Sequence, residues 1–112
     1  MSEELLSPAM QKVARRFAAR LPSKIAEIRV AMADIRAGDI SQLEPLRAIL
    51  HDFAGASAPV GYAVLGDYAR AAENSAIALR DATPEDRMAY VDSLESSVAR
   101  LTAHADDVDT AE

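Results

Sequence analysis

The sequence predicts an all-α protein: an up-down four-helix bundle with an additional short N-terminal helix, in a single domain over residues 1–112. Half of the residues are apolar but only 4% are aromatic, and 24 are alanine, a composition that suits closely packed helices better than sheets. Apolar residues recur at three- and four-residue spacing through most of the chain, and the interruptions fall at proline and glycine. The length of 112 residues is enough for one core of useful size and too short for two ordinary domains.

Ser7-Pro8 suits a helix start with proline in the first turn, and Leu6, Met10, Val13 and Phe17 follow at helical spacing, so a short helix is expected over residues 8–19. Leu21-Pro22-Ser23 interrupts it. Ile25, Ile28, Met32 and Ile35 then mark the buried stripe of a second helix, 22–37, which stops at the Gly38-Asp39 turn. Ser41-x-x-Glu44 has the form of a capping box, and Leu43, Leu46, Leu50, Phe53 and Ser57 continue behind it as a third helix, 42–57. Pro45 falls late for a cap at Ser41, which leaves room for the start to shift by a few residues.

Pro59 and Gly61 punctuate the next connection, and Leu65, Tyr68, Ala72, Ala76 and Leu79 give a fourth helix, 61–81. The short connection makes these two helices antiparallel neighbours. Thr83-Pro84-Glu85-Asp86 supplies a cap, a first-turn proline and early acidic residues for a fifth helix, 84–108, with the seam Val91, Leu94, Val98, Leu101, Ala105 and Val108. Four long amphipathic helices close around a shared core while the short first one covers an end. Asp106 to Glu112 are expected to fray.

The formal charge of −6, with no basic cluster, argues against a nucleic-acid partner. Absence of cysteine removes disulfides, thiol nucleophiles and the usual structural zinc sites, and is compatible with a cytoplasmic location, which is the expected one. Glu3, Glu4, Lys12, Arg15 and Arg16 leave no continuous apolar stretch at the N-terminus, so neither a signal peptide nor a membrane partner is expected. With two histidines in all, no metal site is expected. Glu85-Asp86 and Asp106-Asp107 read as a helix start and a solvated tail. His104, near a helix C-terminus, reads as structural. Tyr62, Tyr68 and Tyr90 read as core or boundary residues, and Met10 and Met32 as core filling.

His51 lies at or beyond the edge of the third helix's apolar stripe. The residues sharing its face are Arg47 and Ala48 one turn before and Ala54, Gly55 and Ala58 one turn after. Those after it are all tiny. Glycine inside a helix costs roughly 0.5–1 kcal/mol relative to alanine, and close approach of a macromolecular partner to the imidazole is a reason to keep Gly55 there.

The stretch His51-Asp52-Phe53-Ala54-Gly55-Ala56-Ser57-Ala58-Pro59-Val60-Gly61 resembles the histidine phosphotransfer family. That family's signature is His, an apolar residue two positions later, Lys-Gly directly after it, and a second Gly six residues further on. The histidine, the apolar position and both glycines match in register, and the resemblance covers about residues 15 to 105, including the Gly38-Asp39 turn. Glu73 stands where the family often has Glu or Gln. With the turn centred near residue 60, antiparallel pairing brings His51 level with about residue 69, and Glu73 lies one turn beyond, its side chain leaning back toward the histidine. Gly66 and Ala69 share its face, and a carboxylate there would fix the imidazole tautomer and leave Nε2 as nucleophile.

The resemblance implies that His51 is the phosphoacceptor, with Glu73 orienting its ring and Arg47, Ala48, Ala54, Gly55 and Ala58 forming the receiver-docking face. It implies receiver domains of response regulators and hybrid sensor histidine kinases as partners, in a bacterial-type phosphorelay. The receiver brings the phosphorylated aspartate and the Mg²⁺, this chain needs no cofactor of its own, and a monomer is the expected state. The chain departs from the family at Ala54, where lysine is usual; Arg47 is a candidate for a substitute charge, against the ordinary reading of a solvated surface arginine. The alternative is a module of the same fold that docks a receiver or kinase without carrying phosphate.

Overall fold

A computed structural model describes residues 7–111, with side chains described as far as residue 108. It is all-helical among the described residues, with four α-helices: α1 (Pro8–Arg36), α2 (Leu43–Ser57), α3 (Ala63–Arg80) and α4 (Arg87–Ala111). Single 3₁₀ turns at Ile40–Gln42 and Ala58–Val60 precede and follow α2.

The separate short N-terminal helix expected from the sequence does not form, because α1 runs straight through Pro22. Proline in a helix interior costs about 3 kcal/mol. Against that, Leu21 and Ile25, on either side of it, are both 3% exposed, and each such aliphatic side chain contributes about 1.5–3 kcal/mol when buried. The buried residues Ala14, Leu21, Ile25, Ile28, Met32 and Ile35 keep one helical phase across the proline, so breaking the helix would turn part of the stripe to solvent. Val13, expected in that stripe, is instead largely exposed, and Leu6 lies outside the described residues.

α1 starts where the sequence places it, with the Ser7 side chain accepting from the Met10 N–H at 3.2 Å. It ends at Gly38, whose φ of 108° is open to glycine without strain. There the Asp39 N–H donates to the Asp34 carbonyl at 2.9 Å and the Gly38 N–H to that of Ile35 at 3.0 Å, closing the helix as a Schellman turn. Gly61, with φ 98°, ends the helical path after α2 in the same manner, the Tyr62 N–H reaching back to the Ser57 carbonyl at 2.9 Å.

The Ser41 capping box does not form. Asp39 takes that place, accepting from the Ser41 N–H at 3.2 Å, while Glu44 is committed to Arg47. With α2 starting at Leu43, Pro45 falls within the first turn, where its missing N–H has no intrahelical acceptor to lose. The last helix starts at Arg87 and not at residue 84, because Thr83–Asp86 folds as a turn, with the Asp86 N–H on the Thr83 carbonyl at 3.1 Å. At its other end α4 continues to Ala111, and Asp106 meets Arg29 of α1 at 2.9 Å.

Each helix packs on the next, and α1 closes against α4. One cluster of buried side chains draws on all four, from Leu21 and Ile28 through Leu46, Leu50 and Leu65 to Leu94 and Leu101. Arg36 of α1 meets Asp92 and Glu95 at 2.7 and 2.8 Å, and with the Arg29–Asp106 pair this makes α1 and α4 antiparallel. Exposed pairs of this kind stabilise weakly, by about 1 kcal/mol or less, but they fix register. Ser75 and Ser97 hydrogen-bond at 2.8 Å and Tyr68 stacks on His104 with ring centroids 5.2 Å apart, which orders α3 against α4. Tyr68 and Tyr62 pack against the core as expected, whereas Tyr90 is exposed. No described helix is long and apolar enough to cross a membrane.

α2 and α3 pack extensively on one another. α3 turns Gly66, Ala69, Ala72 and Ala76 inward, all buried, and a Cβ on Gly66 would stand 3.3 Å from both the Ala54 carbonyl oxygen and the Ser57 Cβ. Replacing Gly66 with alanine should alter stability little, since the ~1 kcal/mol helix gain is offset by crowding. Gly66→Leu should drive the helices apart and cost about 2 kcal/mol or more in urea unfolding; parent-like stability of the leucine variant would contradict this packing.

Candidate functional site

His51 projects from the middle of α2 with its side chain 58% exposed, and Glu73 of α3 faces it with a side chain only 6% exposed. The two meet between His51 Nδ1 and Glu73 Oε2 at 2.8 Å. Two arginines converge on the same carboxylate: Arg70, one turn earlier on α3, donates from Nη1 to Oε1 at 2.5 Å, and Arg47 of α2 donates from Nη1 to Oε2 at 3.4 Å. The small inward face of α3 is what allows Glu73 to sit this deep, since larger neighbours would hold α3 away from α2.

Burial works to raise the Glu73 pKa, but the hydrogen bonds from His51 and Arg70, with the charges they carry, outweigh it and hold the carboxyl below its ordinary value. Glu73 is therefore ionised at neutral pH and can only accept hydrogen bonds. A contact of 2.8 Å to such an acceptor requires the proton on His51 Nδ1. In the neutral ring Nε2 then carries the free lone pair, and the ring is largely exposed. Arg70 Nη1, which also comes within 3.4 Å of Nδ1, donates to the carboxylate and not to the ring.

The structure brings His51 and Glu73 together, and it divides the expected docking face. Ala54 is buried, 7% exposed, because α3 covers that side of α2 at Gly66. It is not available to a docking partner. Ala48 is half-buried, and Gly55 and Ala58 are exposed, with open space around the Gly55 Cβ position. Arg47 lies on the α3 side, and its Nε and Nη2 are held by Glu44 at 2.7–2.9 Å, a pair that keeps the Glu44 carboxyl below its ordinary value. The open side of His51 therefore runs toward α1. There Val13, Phe17, Ile49, Phe53 and Ala56 line a groove of about 420 Å³ with Arg16, Arg20 and Lys24 at its edge.

Sequence reasoning missed Arg70 and this groove. Arg70 stands three residues before Glu73, the spacing at which helical side chains pair. The groove was signalled only by the in-phase stripes on either side of Pro22. Among the described residues, no group of three His, Asp or Glu side chains is arranged to hold a metal ion. Compared with known proteins, the chain matches no family model, no curated protein and no solved structure.

Because its pKa is lowered in the fold, Glu73 adds stability that is fully present above its unfolded value of about 4.3 and is lost as pH falls through the lower folded value. Glu73→Gln should cost about 1–2 kcal/mol at neutral pH, the difference between a charged and a neutral acceptor. In urea unfolding, the gap between parent and variant should narrow on acidification to about pH 3. A gap independent of pH would contradict the ionised, hydrogen-bonded carboxylate.

Proposed function

We propose that this chain is a histidine phosphotransfer protein, a cytoplasmic phosphocarrier in a bacterial-type phosphorelay, and that its helices form the up-down four-helix bundle of that family. The observation that carries the reading is the His51–Glu73 pair: an exposed imidazole in mid-helix whose inner nitrogen is held by a buried, ionised carboxylate. The match of His51, Phe53, Gly55 and Gly61 to the family's signature supports it, and so does the open surface at Gly55 and Ala58.

In the proposed cycle the Nε2 lone pair attacks the phosphorus of a receiver's aspartyl phosphate. The N–P bond forms, the P–O bond to the aspartate breaks, and the electron pair leaves with the receiver's carboxylate. Nδ1 keeps its proton, so positive charge grows on the ring during attack, and the Glu73 carboxylate 2.8 Å from Nδ1 stabilises it in a site partly shielded from water. The same arrangement keeps the phosphorylated ring a good leaving group for return to an aspartate. The receiver contributes its acidic pocket and Mg²⁺, and this chain contributes position and charge.

The second reading, a module that docks a receiver or kinase without carrying phosphate, is favoured by one position: Ala54 puts a buried methyl where the family has lysine. Transfer of radiolabelled phosphate from a panel of phosphorylated receivers separates the two. The parent should take acid-labile label and His51→Gln should take none, while the variant stays folded and loses no more than about 2 kcal/mol, because Arg70 and Arg47 still partner Glu73. Binding to a receiver with no label on either protein would support the docking module and contradict phosphotransfer.

A further inference from the structure

A phosphoryl group on His51 Nε2 would bring close to two negative charges beside Glu73, a carboxylate that is already ionised and 6% exposed. Like charges so close oppose transfer unless a cation stands between or beside them. The position that carries lysine in the resembling family cannot supply one here, because Ala54 is a buried methyl under α3.

Two arginines are near enough to matter, and their engagement differs. Arg47 is 24% exposed and uses Nε and Nη2 on Glu44 and Nη1 on Glu73. Arg70 is 48% exposed and meets Glu73 through Nη1 alone, so its Nε and Nη2 are drawn into no hydrogen bond among the described residues. Its Nη1 lies 3.4 Å from His51 Nδ1. A turn of this long, half-exposed side chain about its own bonds is the motion that would bring the guanidinium toward Nε2.

We propose that Arg70 is the phosphoryl-binding residue of this protein: it rests on Glu73 Oε1 while His51 is free, and turns its guanidinium onto the phosphoryl oxygens once Nε2 is phosphorylated. This rests on the phosphotransfer reading of His51. The planar fork of arginine matches two phosphoryl oxygens at once, which a lysine does not. Supplying the charge from α3 also leaves position 54, which is buried, without a charge to accommodate. Glu73 thus acts on both sides of the transfer, orienting the ring through one oxygen and storing the neutralising charge on the other.

The test uses Arg70→Ala and Arg70→Lys in the full chain, with His51→Gln as the blank. Each protein is phosphorylated with the small-molecule donor phosphoramidate, and the phosphoryl group is titrated by ³¹P NMR. Each is separately offered a labelled receiver. Parent phosphohistidine should titrate at lower pH than that of Arg70→Ala, with Arg70→Lys in between, and transfer from the receiver to Arg70→Ala should be at least ~10-fold slower, with receiver binding unchanged. Lysine should recover part of the rate. Identical titrations and equal transfer rates for parent and Arg70→Ala would overturn the role of Arg70 while leaving phosphotransfer standing. Failure of every protein to accept label from a receiver would overturn the phosphotransfer reading, and the ³¹P titration would still decide on Arg70.

Discussion

A carboxylate buried between two helices has to be partnered, and the way Glu73 is partnered sets the terms for the structure around it. Its oxygens sit where water is largely excluded, so isolation would cost several kcal/mol or force protonation. Three donors prevent that: His51 Nδ1, Arg70 Nη1 and Arg47 Nη1. The requirement runs in both directions. The same contacts that keep Glu73 ionised hold the imidazole in one tautomer and one orientation, and they collect two arginines beside the histidine.

That arrangement depends on how closely α2 and α3 approach. Gly66 meets α2 directly, Ala69, Ala72 and Ala76 add almost no bulk to the buried face of α3, and the bulk of the core is provided from elsewhere, by Leu46, Leu50 and Leu65 within the pair and by Ile28, Leu94 and Leu101 from α1 and α4. The alanine richness of the chain is thus spent partly on bringing a carboxylate to a histidine 22 residues away. The closure of α3 over Ala54 also decides which side of His51 stays open, and it directs that side toward α1 and the groove floored by Phe17 and Phe53.

Much of this was legible before any coordinates. Gly38 marked a helix end, where positive φ favours glycine, and Gly61 marked the connection after α2, although α3 starts at Ala63 and not at residue 61. The stripe Leu43, Leu46, Leu50, Phe53 and Ser57 is buried residue for residue, and simple arithmetic about the turn near residue 60 brought Glu73 to His51. Pro22 misled, since proline was read as a break although the apolar stripes on either side of it share one phase, and burial outweighs one lost hydrogen bond. Ser41 misled because Asp39, two residues earlier, competes for the same backbone donor. Ala54 and Arg70 were hidden for another reason: a helical wheel gives the faces of one helix and does not say which face its neighbour covers or which of two arginines is already engaged.

The tautomer of His51 tests the central claim most directly. Long-range ¹H–¹⁵N spectra of the imidazole, recorded above the pH at which the ring titrates, distinguish a protonated Nδ1 from a protonated Nε2. The parent protein should show the proton on Nδ1, and Glu73→Ala should move the population toward the Nε2–H form that free imidazole side chains favour in water. A proton on Nε2 in the parent, or a tautomer indifferent to the loss of Glu73, would contradict the account at its root, because Nε2 would then have no lone pair to offer and Glu73 no hold on the ring.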